Sequence, residues 1–236
     1  ADNMFVQNTL KVVKEHIQGE LVKAARAFTD TAVISISRFS GEGWDRSVGG
    51  KKDPLFEKGD FYLSGAEKAM VEKVCKVFPM VCAVLNVGGM VDTGWFHDNE
   101  NIQSVLMAWQ GGMEGGLAAA ELLCGVKSPC GKLSDTFARD LTDYPGTSEF
   151  HTSDDYVEYT EDIYVGYRYF ETIPGAAKYV RYPFGYGLSY TTFALTGAVC
   201  GASDGKITAA VHVTNTGDAA GKGVVQIYYS APQGKL

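Results

Sequence analysis

The sequence predicts an α/β protein: a layered α/β sandwich with a mostly parallel sheet, followed by a partial β-sandwich. Three observations support this class. Short β-branched runs alternate with amphipathic helical segments through the first half, a pattern typical of a parallel sheet. Tyrosines crowd the segment after residue 140, and the alternation of a β-sheet begins near residue 190.

Helical and strand patterns alternate in the first half. In chain order they are a helix at about 9–28, a buried strand at 31–37, a helix at 64–78, strands at 80–87 and 104–109, and a helix at 115–123. The second helix carries a capping box, with Ser64 as the N-cap and Glu67 three residues later. Because parallel strands gather their carboxyl ends at one edge, we expect the loops after Ser37, Val87 and Trp109 on one rim.

The middle of the chain loses this periodicity. We predict an aromatic-rich connector over 141–189, fixed in place by its tyrosines. Buried tyrosines need partners for their hydroxyl groups. We therefore expect Tyr164, Tyr167 and Tyr169 to pack between the flanking domains and Arg168 to pair with an acidic group.

The last segment has strand character. Residues 207–214 alternate and are predicted to pair with 224–230 around a turn at 215–218. A β-sandwich needs about seven strands over about 100 residues, so this one is expected to be truncated. The predicted domains are an α/β domain at 1–140, incomplete at its start, the connector at 141–189, and the start of the sandwich at 190–236.

Composition limits the function classes. With 236 residues, 45% apolar residues and 12% aromatic residues, the chain is typical of a globular protein with a substantial core and not of a disordered one. No apolar run reaches the roughly 18 residues of a membrane helix. The net charge of −7 argues against a surface that binds nucleic-acid phosphates.

The five cysteines show no Cys-x-x-Cys pair. This spacing disfavours a metal site and favours free thiols in a reducing compartment. We therefore expect a cytoplasmic location. Secretion stays open, because the chain begins with Ala1 and a leader could have been removed.

Residues 40–46, SGEGWDR, follow the first predicted strand. A carboxyl group on a glycine-flanked loop, here Glu42, suits a general acid/base that must reach a substrate. Trp44 could form a flat apolar platform for a sugar ring, and Asp45 and Arg46 could pair and brace the loop. The alternative is a solvated acidic turn, since glutamate is common on exposed loops.

Two glycine-rich segments invite a nucleotide-binding interpretation. Residues 125–132 fail it because five residues separate the glycines and Leu133 stands where a P-loop needs Ser or Thr. Residues 111–116 lack the full G-x-G-x-x-G frame. A helix stop and a tightly packed turn are the favoured interpretations.

Six motifs occur in an order that resembles the C-terminal half of family 3 glycoside hydrolases, the β-glucosidases and β-xylosidases. They are SGEGWDR (40–46), VLNVGG (84–89), AWQGGMEGG (108–116), GKLSDTF (131–137), EDIYVGYRYF (161–170) and YPFGYGLSYTTF (182–193). The resemblance implies an α/β sandwich domain followed by a fibronectin-III-like domain. It also implies that Glu42 is the acid/base and that Trp44 lines the leaving-group subsite.

The resemblance also identifies what the sequence lacks. The family's nucleophile is an aspartate on a TIM barrel, and neither its Ser-Asp-Trp motif nor a barrel-length segment is present. We therefore expect part of a retaining β-glycosidase that removes terminal β-linked glucose or xylose, inactive by itself and needing no metal or organic cofactor. Its expected partners are a β-glucoside or related oligosaccharide and a barrel domain in the same or another chain, with no nucleic acid and no membrane. The alternative is a non-catalytic carbohydrate-binding or scaffolding module.

Overall fold

The computed structural model describes residues 19–43, 45–47, 55–148 and 152–230. The chain divides into two compact units, Ala1–Gly111 and Gly112–Leu236. No helix within the described ranges is long and apolar enough to cross a membrane.

The first unit alternates strands and helices. Its described elements are α1 (Gly19–Phe28), β1 (Thr31–Arg38), α2 (Gly65–Val77), β2 (Met80–Val87), α3 (Gly94–His97) and β3 (Ile102–Met107). The strands β1, β2 and β3 lie side by side in that order and run parallel. The predicted parallel sheet is confirmed, while residues 9–18 of the first predicted helix lie outside the described residues.

The strand β3 begins and ends two residues earlier than predicted. Its last residue is Met107, and the Ala108 N–H donates to the Leu85 carbonyl at 3.0 Å. Trp109 has a φ of 55°, which lies in the left-handed region that a strand residue does not adopt. The apolar side chain of Trp109 favoured a strand in the sequence, but its backbone forms the turn that follows.

The core of this unit lies on one face of the sheet. In β2, the central strand, Val81, Ala83, Leu85 and Val87 are all buried. In β1, Ile34 and Ile36 point to the buried side. The opposite face of β1 is solvent-accessible, with Val33 57% exposed. The strand predicted to be buried is therefore buried on one face, as alternation in a pleated strand allows.

Arg38, the last residue of β1, is a buried cation, and its five N–H donors are all used. Nη1 and Nη2 each donate to one carboxylate oxygen of Glu67 at 2.6 Å. The carbonyls of Ser37, Asp60 and Tyr62 accept the other three hydrogen bonds at 2.7, 2.9 and 3.0 Å. The guanidinium also lies over the Phe56 ring, 4.4 Å from its centroid. Arg38 therefore ties the end of β1 to the chain that leads into α2.

Glu67 also closes the predicted capping box at the start of α2, which is confirmed. Its Oε2 accepts from the Ser64 N–H at 2.8 Å, and the Ser64 Oγ accepts from the Glu67 N–H at 3.2 Å. Burial raises the pKa of Glu67, but the Arg38 hydrogen bond, the Ser64 N–H and the Arg38 charge together outweigh burial. The pKa therefore lies below its usual value, and the carboxylate is ionised at neutral pH.

In the second unit, short elements are followed by a hairpin of two long strands. The described elements are α4 (Gly115–Leu123), β4 (Phe137–Ala138), α5 (Tyr167–Thr172), β5 (Val180–Tyr182), β6 (Phe193–Ser203) and β7 (Lys206–Asn215), with 3₁₀ turns at Leu141–Asp143 and Ala176–Tyr179. β4 pairs with β5 and β6 pairs with β7, both antiparallel. The bounds of α4 match the predicted helix.

The tyrosine-rich segment forms a small aromatic core within this second unit. Phe170 is buried and packs edge-to-face against Tyr144 and Tyr169, with ring centroids 5.7 and 5.2 Å apart. The Tyr144 hydroxyl donates to the Thr136 carbonyl at 2.7 Å and accepts from the Ala138 N–H at 2.8 Å. Burial raises the pKa of Tyr144 to about 12. The hydroxyl therefore stays protonated at neutral pH, and it bridges the backbone of Thr136 and Ala138.

The predictions for the neighbouring residues are only partly met. Tyr169 packs within the second unit and Tyr164 is exposed. Tyr167 contacts Phe184, with ring centroids 4.8 Å apart. Arg168 lies over the Tyr167 ring at 5.8 Å, and among the described residues it forms no ion pair. The predicted Arg168 pair is wrong because this side chain is exposed, where an unpaired cation is solvated by water.

The predicted strand pairing near the C-terminus is also wrong. β7 pairs with β6, which precedes it, and residues 224–230 form no strand. The turn between the strands is Asp204–Gly205, with φ values of 52° and 72°. Asp-Gly is a strong signal for the two-residue turn that needs positive φ at both positions. This local signal accounts for the pairing of β7 with β6, and the described residues 224–230 add no strand to the other edge of β7.

We expect Glu67→Gln to destabilise the first unit by about 3 kcal/mol at pH 7, because it leaves the buried Arg38 cation without its counter-charge. The folded pKa of Glu67 is lowered, so its contribution is present above the unfolded pKa and lost as pH falls through the folded value. The difference between wild type and variant in urea unfolding should therefore shrink below about pH 4.5.

Glu20→Gln is the matched control, since Glu20 forms an exposed ion pair with Lys23. Its effect should stay within about 0.5 kcal/mol. A Glu67→Gln variant as stable as this control at pH 7 would contradict the assigned role of the ion pair.

We also expect weak hydrogen-exchange protection in β6 and β7. Their apolar side chains are exposed, among them Leu195, Val199 and Ile207. A two-stranded hairpin is marginally stable without further packing, so its amides should exchange at least about a hundredfold faster than those of β2. Protection equal to that of β2, measured by mass spectrometry or NMR, would show that the hairpin is covered.

Candidate functional site

The loops that follow the three parallel strands meet at one rim, as predicted. The Gly88 N–H donates to the Arg38 carbonyl at 3.0 Å, between the ends of β2 and β1. The Gln110 Nε2 donates to the Ser40 carbonyl at 3.2 Å, which joins the loops after β3 and β1. In parallel sheets ligands bind at this carboxyl edge, so functional side chains are expected at the rim.

Glu42 lies on an exposed turn of the loop after β1. Its neighbour Gly43 has a φ of 74°, a conformation that costs glycine little and other residues more. The Glu42 carboxyl group is thus accessible to solvent at the rim. Trp44, predicted to be the sugar platform, lies outside the described residues.

Arg46, at the C-terminal end of this loop, anchors the loop through hydrogen bonds of its buried side chain. Its Nη1 donates to the Phe39 carbonyl at 2.9 Å and to the Asp60 carboxylate at 2.8 Å, and its Nε donates to the Met90 carbonyl at 3.2 Å. The side chain is only 9% exposed. One cation thus holds both ends of the loop and the turn after β2.

Arg46 forms an ion pair outside its own loop, and its predicted pairing with Asp45 stays a prediction. The ion-pair partner of Arg46 is Asp60, fourteen residues away, whereas Asp45 is exposed.

Gly88 allows the loops to approach closely. A Cβ at this position would lie 2.5 Å from the Gln110 Nε2 and 2.6 Å from the Ser40 Cβ. These separations are too short for any side chain at this position. Glycine therefore lets Ser40 and Gln110 pack directly against the backbone of residue 88.

No sequence pattern marked Arg38, Asp60 or Gln110 as residues of the rim. Gln110 stands inside a quoted motif, but its contact with Ser40 joins residues 70 positions apart. A buried arginine at the end of an apolar strand is a usable signal, since it requires an acidic partner nearby. The sequence offers several acidic residues and does not say which one.

The described ranges contain no group of three or more His, Cys, Asp or Glu side chains that could hold a metal ion. Within the described part of the loop after β1, the exposed carboxyl groups are those of Glu42 and Asp45.

The two glycine-rich segments use their amides within the protein. At the end of α4 the Gly125 N–H donates to the Leu122 carbonyl and the Val126 N–H donates to the Glu121 carbonyl, which is the Schellman arrangement. The Gly115 N–H donates to the Gly112 carbonyl at 2.9 Å. The interpretation of 125–132 as a helix stop and turn is confirmed.

Two of the quoted motifs form one antiparallel arrangement in the second unit. The Leu133 N–H donates to the Tyr186 carbonyl, and the Gly185 N–H donates to the Leu133 carbonyl, both at 2.8 Å. The Lys132 Nζ donates to the Gly187 carbonyl. Segments 131–137 and 182–193 are thus neighbours in space although about 50 residues separate them in the chain.

We expect Gly88→Ala to destabilise the first unit by about 1–3 kcal/mol, because the new methyl group forces Ser40 and Gln110 apart. Gly65→Ala is the matched control, since a Cβ there meets nothing within 4 Å and alanine favours the helix. Urea unfolding of both variants tests this. Equal stability of the two would show that the loops yield without cost.

Comparison with known proteins identifies the family of this chain. The sequence profile of the glycosyl hydrolase family 3 C-terminal domain matches residues 5–190. β-Glucosidase A of Butyrivibrio fibrisolvens is 57% identical over 246 residues, which cover 92% of this chain and 30% of that protein.

Solved structures show the same relationship. A β-glucosidase from Paenibacillus barengoltzii aligns with a TM-score of 0.75 and 39% identity, over 85% of this chain and 21% of that one. β-Glucosidase 3B from Thermotoga neapolitana, in complex with glucose, aligns with a TM-score of 0.72 and 36% identity, over 86% and 27%. This chain spans less than a third of the length of each of these relatives. Because the profile covers well over half of its residues, the chain belongs to the glycosyl hydrolase family 3 C-terminal domain family.

Proposed function

We propose that this chain is the part of a retaining β-glycosidase that supplies the general acid/base, and that Glu42 is that residue. The observation that carries the proposal is the position of Glu42: an exposed turn at the carboxyl rim of the parallel sheet, whose base is held by Arg46. A proton donor must reach the substrate and yet be held in place. Membership in the family supports the same assignment.

The proposed reaction needs a second carboxylate. A nucleophilic aspartate attacks the anomeric carbon while the Glu42 carboxyl group protonates the departing oxygen. The Glu42 carboxylate then takes a proton from the water that hydrolyses the glycosyl-enzyme intermediate. The two carboxyl groups must stand about 5–5.5 Å apart in a retaining enzyme. We place the nucleophile on a TIM barrel beyond these 236 residues, in the same or another chain, and the much greater length of the relatives supports that placement.

The proposed substrate is a β-glucoside or related oligosaccharide from which terminal β-linked glucose or xylose is removed. The β-glucosidase names of the relatives support the glucoside. The Thermotoga neapolitana enzyme binds glucose. Trp44, two residues after Glu42, is proposed to line the leaving-group subsite, as the resemblance to the family implies.

The C-terminal segment, residues 190–236, is proposed to begin a fibronectin-III-like domain. The antiparallel pair β6 and β7 supports this, and so do the apolar side chains that the pair exposes. An open sandwich leaves its edges and one apolar face uncovered, so further strands or another domain would complete it.

The test is Glu42→Gln in the complete enzyme, in which this chain acts together with the barrel. On an unactivated disaccharide the rate should fall by about 10²–10⁴-fold, because the leaving oxygen needs a proton. Dinitrophenyl β-glucoside should still form the glycosyl-enzyme intermediate, because its leaving group departs without one. Azide, a small anionic nucleophile that needs no general base, should then release the intermediate as the glycosyl azide.

Glu72→Gln, on the exposed face of α2, is the control and should leave both substrates unaffected. The chain without a barrel should hydrolyse neither substrate. Near wild-type hydrolysis of the disaccharide by Glu42→Gln would exclude Glu42 as the acid/base. A reading frame that encodes no barrel, together with sugar binding by the chain alone, would favour the alternative of a non-catalytic binding module.

A further inference from the structure

Glu42 depends on the backbone around it for its position. It is exposed on its turn, so its carboxyl group is placed by the points at which the loop is anchored. One anchor is the contact of Ser40 with Gly88 and Gln110. The other lies at Arg46 and Ser47, where Asp60 binds both residues.

The Asp60 carboxylate divides its two oxygens between these residues. Oδ2 accepts from the Arg46 Nη1 at 2.8 Å. Oδ1 accepts from the Ser47 N–H at 2.8 Å and from the Ser47 Oγ at 3.1 Å. A neutral side chain of the same shape has one acceptor oxygen and cannot serve both positions. The arrangement therefore requires a carboxylate.

Asp60 is also the counter-charge of Arg46. The Arg46 side chain is 9% exposed and Asp60 is 26% exposed. Among the described residues the Arg46 Nη2 is buried without a hydrogen-bond partner. The position of this cation, and of the loop ends that it holds, thus rests on Asp60.

Asp60 is itself fixed to the core. Its carbonyl accepts from the buried Arg38 Nε at 2.9 Å. The next residue, Phe61, is buried, and its carbonyl accepts from the Asp92 N–H at 2.9 Å. A continuous series of polar contacts thus leads from the core through Asp60 to the two ends of the Glu42 loop.

We infer that Asp60 is a positioning residue for Glu42. It sets the distance of the acid/base from the substrate by anchoring Arg46 and Ser47, and it does not itself touch the reacting atoms. This inference rests on the proposed acid/base role of Glu42. Because small misplacements of a catalytic group can cost up to about a hundredfold in rate, the loss of this anchor should be visible in kinetics.

The test is Asp60→Asn in the complete enzyme, with kcat/KM measured on two substrates. For cellobiose, whose leaving group needs a proton, kcat/KM should fall about tenfold to a hundredfold. For dinitrophenyl β-glucoside, whose leaving group needs none, it should stay within about twofold. A merely structural role would lower both values equally, and that result would overturn the inference.

The double variant Asp60→Asn, Glu42→Gln gives a second criterion. If Asp60 acts through Glu42, then Asp60→Asn causes no further loss for cellobiose once Glu42 is glutamine. A full additional loss would overturn the inference and leave the role of Glu42 intact. The Glu42→Gln single variant tests that role separately, so the two failures are distinguishable.

Two further variants complete the design. Asp30→Asn removes an exposed carboxylate that pairs with Arg26 on α1, and it should leave both substrates unaffected. Should Asp60→Asn fail to fold, Arg46→Lys tests the same anchor, because lysine keeps the charge but cannot reach three acceptors at once. It should show the same selective loss on cellobiose, and an equal loss on both substrates would overturn the inference.

Discussion

The buried ion pair of Arg38 and Glu67 is the interaction on which the rest of the first unit depends. Removing a guanidinium from water costs several kcal/mol unless every donor finds an acceptor, and here all five do. The pair thereby joins the end of β1 to a stretch of chain more than twenty residues later, which comprises the segment leading into α2 and the first turn of that helix. The Glu67 carboxylate also complements the positive end of the helix dipole.

The Arg38–Glu67 ion pair is linked to the rim through Asp60. Arg38 holds the carbonyl of Asp60, and the side chain of Asp60 holds Arg46. At each contact, hydrogen bonds fix a side chain that would otherwise be flexible. The two ends of the loop after β1 are therefore anchored, while Glu42 between them is exposed. That combination suits the acid/base role proposed for Glu42. It also explains how a glycine-flanked turn can be positioned without apolar packing of its own.

The second unit is stabilised differently. Its centre is aromatic, with Phe170 between Tyr144 and Tyr169, and the Tyr144 hydroxyl closes a turn through two backbone groups. The hairpin of β6 and β7 adds many backbone hydrogen bonds but buries little apolar surface. Residues 224–230 have the β-branched and aromatic composition of a strand but form none. A favourable sequence is not sufficient, because a strand also needs a neighbouring strand with which to pair.

The sequence by itself determined the elements whose signals are local. The bounds of β2 and α4, the capping box of Ser64 and Glu67 and the stop at Gly125 each follow from residues within a few positions of one another. The Asp204–Gly205 turn belongs to the same class, although the alternation of 224–230 suggested another pairing. Tertiary structure decided the contacts of Arg38 with Glu67, Arg46 with Asp60 and Ser40 with Gln110, which span 29, 14 and 70 residues. The sequence identifies polar groups that need a partner when they are buried. The arrangement of the strands and loops in the folded chain decides which of these groups come into contact.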